Sequence, residues 1–289
     1  MMEMTSTRRA LLRAAAATLA MPALGLRAQE LEDLDKVRAA GVLKVALYKD
    51  NAPYSDGKGS ELSGVDVALA QGLARELGLK LQLLPFDAGE NMGDDLRNMV
   101  WRGHYLGYGP ADVMLHVPAD KYLMQKNPQV LIFGPYSRET LAVFHDKRRL
   151  PEVKSGNDLA SLPLGAERGS GAASALIGYQ GGLLRNQTRF FDNGVQAADA
   201  VINGDIAAAY VSRAQAETAL FRGQAEREAF QLSELGLPGL QANGWPLGMA
   251  TKSSHKALAG ALDDALKRLR DKGELLAMFR DRGLTLVAP

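Results

Sequence analysis

Strand-like and helix-like patterns alternate along this chain, and the first strand–helix–strand unit restricts the fold most. Residues 42–48 alternate apolar and polar side chains, as a half-buried strand does. Apolar residues then recur every four positions from Val65 across residues 64–77, which predicts a helix that Gly78 is placed to end. Residues 80–86 are a second strand candidate. Such a unit favours two parallel strands joined by a crossover helix.

The alternation continues to the end of the chain. A helix is predicted at residues 94–103 and a strand at 112–116, and a second series then begins near residue 138. It comprises strands at 140–144, 162–166, 189–191 and 207–211, with helices from residue 172 and at 196–203. A strand at 247–251 and helices at 257–269 and 274–282 close the chain. This order predicts an α/β fold.

The N-terminus has the pattern of an export signal. Arg8 and Arg9 precede an apolar run at residues 14–26, and Ala28 is a small residue at the expected cleavage point. The paired arginines resemble those of the twin-arginine route. The apolar run is shorter than the roughly 20 residues that span a bilayer. We therefore predict a signal peptide at residues 1–28 and a periplasmic location.

Charge and cysteine content exclude several classes of site. The chain has a formal net charge of +1, and residues 1–28 hold four arginines and one glutamate, so residues 29–289 carry −2. This balance gives no electrostatic footprint for nucleic acid. The sequence contains no cysteine, which excludes disulfides, thiolate metal sites and a lipid anchor on cysteine. The four histidines have no metal-ligand spacing, so no metal or cofactor is expected.

Four segments resemble type II periplasmic solute-binding proteins, the family of amino-acid receptors of ABC transporters. They read NAPYS at 51–55, LSGVDVALA at 62–70, GDIAAAY at 204–210 and LGMATK at 247–252. The resemblance implies two α/β lobes with mixed, mostly parallel sheets, joined by two crossover strands around a ligand cleft. Lobe 1 would comprise residues 29–138 and 246–289, and lobe 2 residues 139–245, with a hinge between them.

The chain departs from the amino-acid receptors at both of their ligand anchors. The receptors have an arginine that clamps the ligand carboxylate, where this chain has Lys121. A lysine cannot make the planar two-bond clamp. In lobe 2, Ser212-Arg213 stands where amine-binding members have an aspartate. We therefore expect that common amino acids do not bind tightly.

An added segment resembles a narrower branch, the solute-binding-like proteins that accompany pyrroloquinoline-quinone alcohol dehydrogenases. It spans residues 103–111, and GPYSR at 134–138 is similar to the branch's crossover motif. The resemblance implies a non-catalytic accessory protein with a quinoprotein alcohol dehydrogenase as its partner. The alternatives are an ABC-transporter receptor for a small polar ligand, with a permease as its partner, and a dehydratase-like enzyme on the same fold. For the enzyme, the turn at 169–171 lacks a carboxylate, and Glu167 is expected to point elsewhere.

Two sets of residues follow as candidate sites. Family position assigns the cleft to Tyr54, His116, Lys121, Arg138, Ser170 and Tyr210. The aromatic residues His104, Tyr105 and Tyr108 of the added segment, together with Trp101 just before it, are candidates for binding a partner, because aromatic side chains dominate interface hot spots. The same residues also suit packing of the segment onto its own lobe. No catalytic motif accompanies either set.

Overall fold

The computed structural model describes residues 33–240 and 243–289, so the predicted signal peptide lies outside the described residues. The helices are α1 (Asp33–Ala40), α2 (Val65–Glu76), α3 (Met92–Leu96), α4 (Lys121–Lys126), α5 (Gly171–Gly178), α6 (Gly194–Ile202), α7 (Arg213–Arg222), α8 (Lys256–Asp271) and α9 (Glu274–Arg280). The strands are β1 (Val42–Tyr48), β2 (Lys80–Phe86), β3 (Val113–Pro118), β4 (Val130–Asp146), β5 (Leu164–Glu167), β6 (Thr188–Phe191), β7 (Ala208–Ser212), β8 (Phe230–Ser233) and β9 (Gly244–Lys252). None of these helices is long and apolar enough to cross a membrane.

The first lobe is built on the predicted strand–helix–strand unit. Strand β1 lies parallel to β2 and to β3, and the sheet continues through β9 to β4. Helix α2 crosses from β1 to β2 with Leu69 and Leu73 fully buried, and Gly78 (φ +69°) terminates it in the left-handed conformation. Helices α1, α8 and α9 cover the same apolar face, and α3 covers the other.

The second lobe repeats this arrangement. Its sheet runs β4-β7-β5-β6, with β5 parallel to both β6 and β7, and β8 pairs with β4. Apolar side chains of α5 pack on one face and those of α6 and α7 on the other. The strands proper to each lobe are therefore parallel, and each antiparallel pair among β1–β9 involves β4 or β9. The prediction of a mixed α/β fold is confirmed.

Strands β4 and β9 cross between the lobes. Residues 130–133 and 137–140 of β4 pair with β9 in the first sheet, whereas residues 141–146 pair with β7 and β8 in the second. Strand β4 therefore extends well beyond the predicted residues 140–144, because it serves both sheets. Its ladder is interrupted between Phe133 and Ser137, at a glycine–proline pair.

The predicted helix at residues 94–103 is irregular. Helix α3 ends at Leu96, and one π-helical turn, Arg97–Trp101, continues it. The backbone N–H of Arg102 donates to the Arg97 carbonyl at 2.9 Å, a wider ring than an α-helix makes. Gly103 then takes φ +91° and starts the added segment. The periodicity of the sequence does not reveal this wider turn, because the residues that face the core are the same apolar ones that an α-helix would bury.

Candidate functional site

A cavity of about 240 Å³ lies where the two lobes meet, beside the crossover strands. The lining residues are Asn51, Ala52, Tyr54, His116, Glu139, Leu141, Glu167, Ser170, Gly171, Ala172, Tyr210, Val211, Ser212, Gln215, Leu240 and Trp245. Residues of both lobes therefore line the same cavity. Within residues 33–240 and 243–289, no group of three or more histidine, aspartate or glutamate side chains is arranged to hold a metal ion.

The loop after β1 positions Tyr54 on the first-lobe side. The Tyr54 and Ser55 N–H groups donate to the Asn51 carbonyl at 2.8 and 3.0 Å, and the Ser55 hydroxyl donates to the Tyr48 carbonyl at 2.6 Å. Gly64 follows with φ +140°, and a Cβ there would lie 2.2 Å from the Tyr54 carbonyl oxygen. Only glycine permits this close approach, so Gly64 lets the start of α2 pack directly on the backbone of Tyr54.

A buried carboxylate fixes His116. Asp66, in the first turn of α2, is fully buried and accepts a hydrogen bond from the Tyr136 hydroxyl at 2.8 Å. Its other oxygen lies 3.0 Å from His116 Nδ1. His116 has φ +61° at an irregularity of the β3–β9 ladder, and its N–H donates to the Tyr136 hydroxyl at 3.1 Å. The bulge turns the imidazole out of the regular strand alternation and onto the cavity wall.

Glu139 is the second acid of this region, and it lines the cavity with only 6% of its surface exposed. Burial raises its pKa, against the lowering effects of hydrogen bonds from Tyr54 and Ser212 and of the charge on His116. Burial by itself would lower the pKa of His116. The charge of Asp66, the hydrogen bond to Asp66 and the charge of Glu139 together outweigh burial, so the pKa of His116 is raised. The charges of two carboxyl groups, Asp66 and Glu139, thus act on one imidazole.

The start of α5 forms the second-lobe side. The Ser170 hydroxyl accepts from the Ala173 N–H at 3.1 Å and donates to the Glu167 carbonyl at 2.8 Å, so Ser170 is the N-cap of the helix. Gly171 opens the helix at the cavity wall. The Ser170 N–H donates to the Glu167 carbonyl at 3.3 Å, so the first turn of α5 from Gly171 on is the part of this helix start that lies at the cavity with donor capacity.

Two further second-lobe side chains are held by identifiable partners. The Glu167 Oε2 atom accepts from the Gly194 N–H at 3.0 Å and from Gln215 Nε2 at 2.9 Å. Glu167 lines the cavity, so the expectation that it points elsewhere is wrong. The Tyr210 hydroxyl donates to the Leu235 carbonyl at 3.0 Å, which leaves its ring as the lining surface.

The structure brings four of the six predicted cleft residues together: Tyr54, His116, Ser170 and Tyr210 line the cavity. The other two do not, which corrects their predicted placement. Lys121 is exposed as the first residue of α4. Arg138 Nη2 donates to the Gly244 carbonyl at 3.1 Å. Successive strand residues point to opposite sides, so in β4 Glu139 reaches the cavity and Arg138 does not.

Several lining residues were missed by the sequence prediction, among them Glu139, Gln215 and Trp245. Ser212, which stands where amine-binding members have an aspartate, also lines the cavity. The alternation of β4 carried a signal for Glu139, since it neighbours a predicted site residue on the strand. Ser212 and Gln215 cap α7 through a reciprocal pair of hydrogen bonds, a capping box that the sequence Ser-x-x-Gln allows. From the sequence, Ser212 was placed at the end of a strand, at the anchor position of amine-binding members, and this cap was not identified.

The four predicted partner-binding residues differ in their surroundings. Trp101 is half-buried and packs against the apolar core of the first lobe. The His104 ring stacks on Tyr108, with centroids 4.2 Å apart and planes 13° apart, and lies 4.3 Å from the Tyr105 ring. Tyr105 is 88% exposed and Leu106 68% exposed. The tip of the added segment therefore packs on itself and presents an apolar surface to solvent.

Comparison with known proteins gives no matching family model and no matching curated protein. The fold does match solved structures. One is an amino acid ABC transporter substrate-binding protein from Streptococcus pneumoniae bound to L-arginine, with 20% identity over 89% of this chain and 100% of the other, and a TM-score of 0.61.

Two further solved structures agree. An ancestral cationic amino acid solute binding protein has a TM-score of 0.64 and 20% identity, over 86% of this chain and 98% of the other. An ABC uptake transporter substrate binding protein from Streptococcus pneumoniae with bound histidine has a TM-score of 0.63 and 14% identity, over 89% and 98%. At these identities the likeness shows the two-lobed binding-protein fold.

Proposed function

We propose that this protein is a periplasmic solute receptor, exported by residues 1–28, that holds a small polar solute between its lobes and delivers it to an ABC permease. The observation that carries the proposal is the cavity at the crossover strands, whose wall takes residues from both lobes. The structural neighbours named above are substrate-binding proteins of transporters, which supports the transport interpretation over the alternatives.

The connections between the lobes suit such a role. Strand β4 passes from the first sheet to the second after Thr140, where its pairing changes from β9 to β7, and Thr140 pairs with Gly244, the first residue of β9. A few residues near that point can therefore absorb a change in lobe orientation. A solute that contacts Tyr54 on one lobe and Ser170 on the other gains its full set of contacts only when the lobes are together. Binding would therefore favour a closed arrangement.

A thermal-shift screen of the purified protein against a library of small polar solutes tests the proposal. A solute at about one hundred times its Kd stabilises the folded state by about 2.7 kcal/mol, a readily measured shift. Gly171→Trp would fill the cavity and abolish the shift. Leu276→Trp, which adds the same ring on the exposed side of α9, is the control and should keep it. An unresponsive wild-type protein across the whole library would refute a receptor.

A second candidate function is an accessory role for a quinoprotein alcohol dehydrogenase. The observation in its favour is the exposed apolar tip at Tyr105 and Leu106, since monomeric proteins seldom leave large apolar side chains clustered in solvent. A partner that covers the tip would remove that cost. This interpretation does not require an occupied cavity.

Co-purification with a pyrroloquinoline-quinone alcohol dehydrogenase tests this candidate. If Tyr105 is a hot spot, Tyr105→Ala should lose roughly 2 kcal/mol of binding with no change in melting temperature. Tyr122→Ala, at a 62% exposed tyrosine of α4, is the matched control and should bind as the wild type does. An absence of association at micromolar concentrations would eliminate the accessory role.

A further inference from the structure

We propose that the cavity selects solutes that carry an amine or guanidinium cation and no carboxylate beside it, an inference that rests on the proposed receptor function. The inference rests on which acidic and basic side chains line the cavity. Two carboxylates, Glu139 and Glu167, line the cavity from different lobes. No lysine or arginine that the structure describes lines it.

The two carboxylates are held in place yet keep acceptor capacity. Glu139 accepts from the Thr140 N–H at 3.2 Å and from the hydroxyls of Tyr54 and Ser212. Both recorded bonds to Glu167 fall on its Oε2 atom. A carboxylate has about four acceptor positions, so these bonds leave the Oε1 atom of Glu167 and about one position of Glu139 for a solute. Burial raises the pKa of Glu139, and a cation placed beside it favours its ionised form, so each group can take a charge-assisted bond from a cationic solute. The existing hydrogen bonds hold both carboxyl groups, so their remaining acceptor positions have a fixed direction before a solute binds.

The arginines adjacent in sequence to lining residues are engaged elsewhere. Arg138 donates to a backbone carbonyl, Arg168 lies 5.9 Å over the ring of Phe190, and Arg213 pairs with Glu234. None of these guanidinium groups is therefore among the lining residues, and His116, the basic side chain that does line the cavity, already faces Asp66 at 3.0 Å. An incoming cation would supply positive charge to Glu139 and Glu167, because buried carboxylates bind cations more strongly than exposed ones do.

A carboxylate on the solute would be disfavoured in this cavity. The N-terminus of α5 offers the N–H of Gly171, since the Ser170 N–H already donates to the Glu167 carbonyl at 3.3 Å, and a helix end amounts to only about half a positive charge. Two carboxylates share the same small cavity, and their repulsion opposes a third. The α5 donors thus suit a neutral oxygen of the solute, and Lys121, which is exposed on α4, offers no clamp for a carboxylate. His116 already faces Asp66 at 3.0 Å.

Calorimetric titrations with matched probes test the inference. Agmatine and L-arginine differ by the α-carboxylate, and putrescine and 1,4-butanediol differ by charge. We expect agmatine to bind at least about tenfold more tightly than L-arginine, and putrescine to bind where butanediol does not. Glu167→Gln, and separately Glu139→Gln, should each weaken agmatine about tenfold, whereas Glu152→Gln at an exposed glutamate should not. Circular dichroism establishes that each variant is folded.

The outcomes separate the two proposals. One outcome is that a neutral or anionic solute binds to the wild type but not to Gly171→Trp, while no amine binds. The charge inference is then wrong and the receptor proposal stands. Equal affinity for L-arginine and agmatine would overturn the carboxylate part. Unchanged agmatine affinity in both glutamine variants would overturn the assignment to these acids. If no solute of any class binds, the receptor proposal and the inference both fail.

Discussion

The substitution Asp66→Ala should destabilise the protein strongly, because Asp66 is a fully buried acceptor with two partners. It accepts from the Tyr136 hydroxyl at 2.8 Å and lies 3.0 Å from His116 Nδ1. A hydrogen bond to a charged group contributes about 1.5–3 kcal/mol, and removal of one member of a buried ion pair costs about 3–5 kcal/mol. We therefore expect a loss of about 4 kcal/mol.

The assay is thermal unfolding followed by circular dichroism. For a chain of this size, 1 kcal/mol corresponds to roughly 2–4 °C, so the melting temperature should fall by on the order of 10 °C. Asp66→Asn keeps an acceptor for Tyr136 and should lose about half as much. Asp264→Ala, at an acid of α8 that is 65% exposed, should change stability by less than about 0.5 kcal/mol.

A loss below about 1 kcal/mol in Asp66→Ala would refute the reasoning. It would mean that neither the Tyr136 hydroxyl nor the His116 imidazole depends on a buried anion. Since that anion holds His116 at the cavity wall, the first-lobe side of the site would then need another explanation. Equal losses in Asp66→Ala and Asp264→Ala would point to the same conclusion.

Three further predictions concern pH, backbone and export. His116 and Glu139 both have raised pKa values in the folded state. The stability that each group contributes is therefore fully present below its ordinary pKa, about 6.5 for His116 and about 4.3 for Glu139, and is lost as pH rises through the raised pKa. The melting temperature of the wild type relative to Glu139→Gln should thus fall as pH rises across that window, and a flat difference would contradict the raised pKa of Glu139. Gly64→Ala should cost roughly 3 kcal/mol, because its Cβ would meet the Tyr54 carbonyl, whereas Gly260→Ala, in open space within α8, should gain up to about 1 kcal/mol by urea unfolding. N-terminal sequencing of the exported protein should begin at Gln29, and an intact Met1 would exclude cleavage.

Periodicity in the sequence was sufficient to predict the framework of the fold. The strand at residues 80–86 matches β2, and the predicted helix at 64–77 differs from α2 by one residue at each end. These elements bury one regular stripe, so their pattern is local. Strand β4 was predicted too short, because its length depends on pairing with β9 and β7, which are distant in sequence.

The candidate site was predictable only where a local signal existed. Ser170 stands in a glycine turn before a helix, and Tyr54 in a proline–aromatic loop, and both line the cavity. Glu139 and Glu167 owe their position to the side of the strand they occupy and to partners distant in sequence, Tyr54 for Glu139 and Gln215 for Glu167. The burial of Asp66 likewise depends on Tyr136, 70 residues away. No window of sequence contains such pairs, so these acids were not identified.

The central claim, that a cationic solute occupies the cavity between the lobes, is tested most directly by the fluorescence of Trp245. The chain has two tryptophans, and Trp245 lines the cavity whereas Trp101 packs in the first lobe. Titration of agmatine into Trp101→Phe should change the emission saturably, and the same titration of Trp245→Phe should not. An unchanged emission in Trp101→Phe, or an equal change in both variants, would contradict the account.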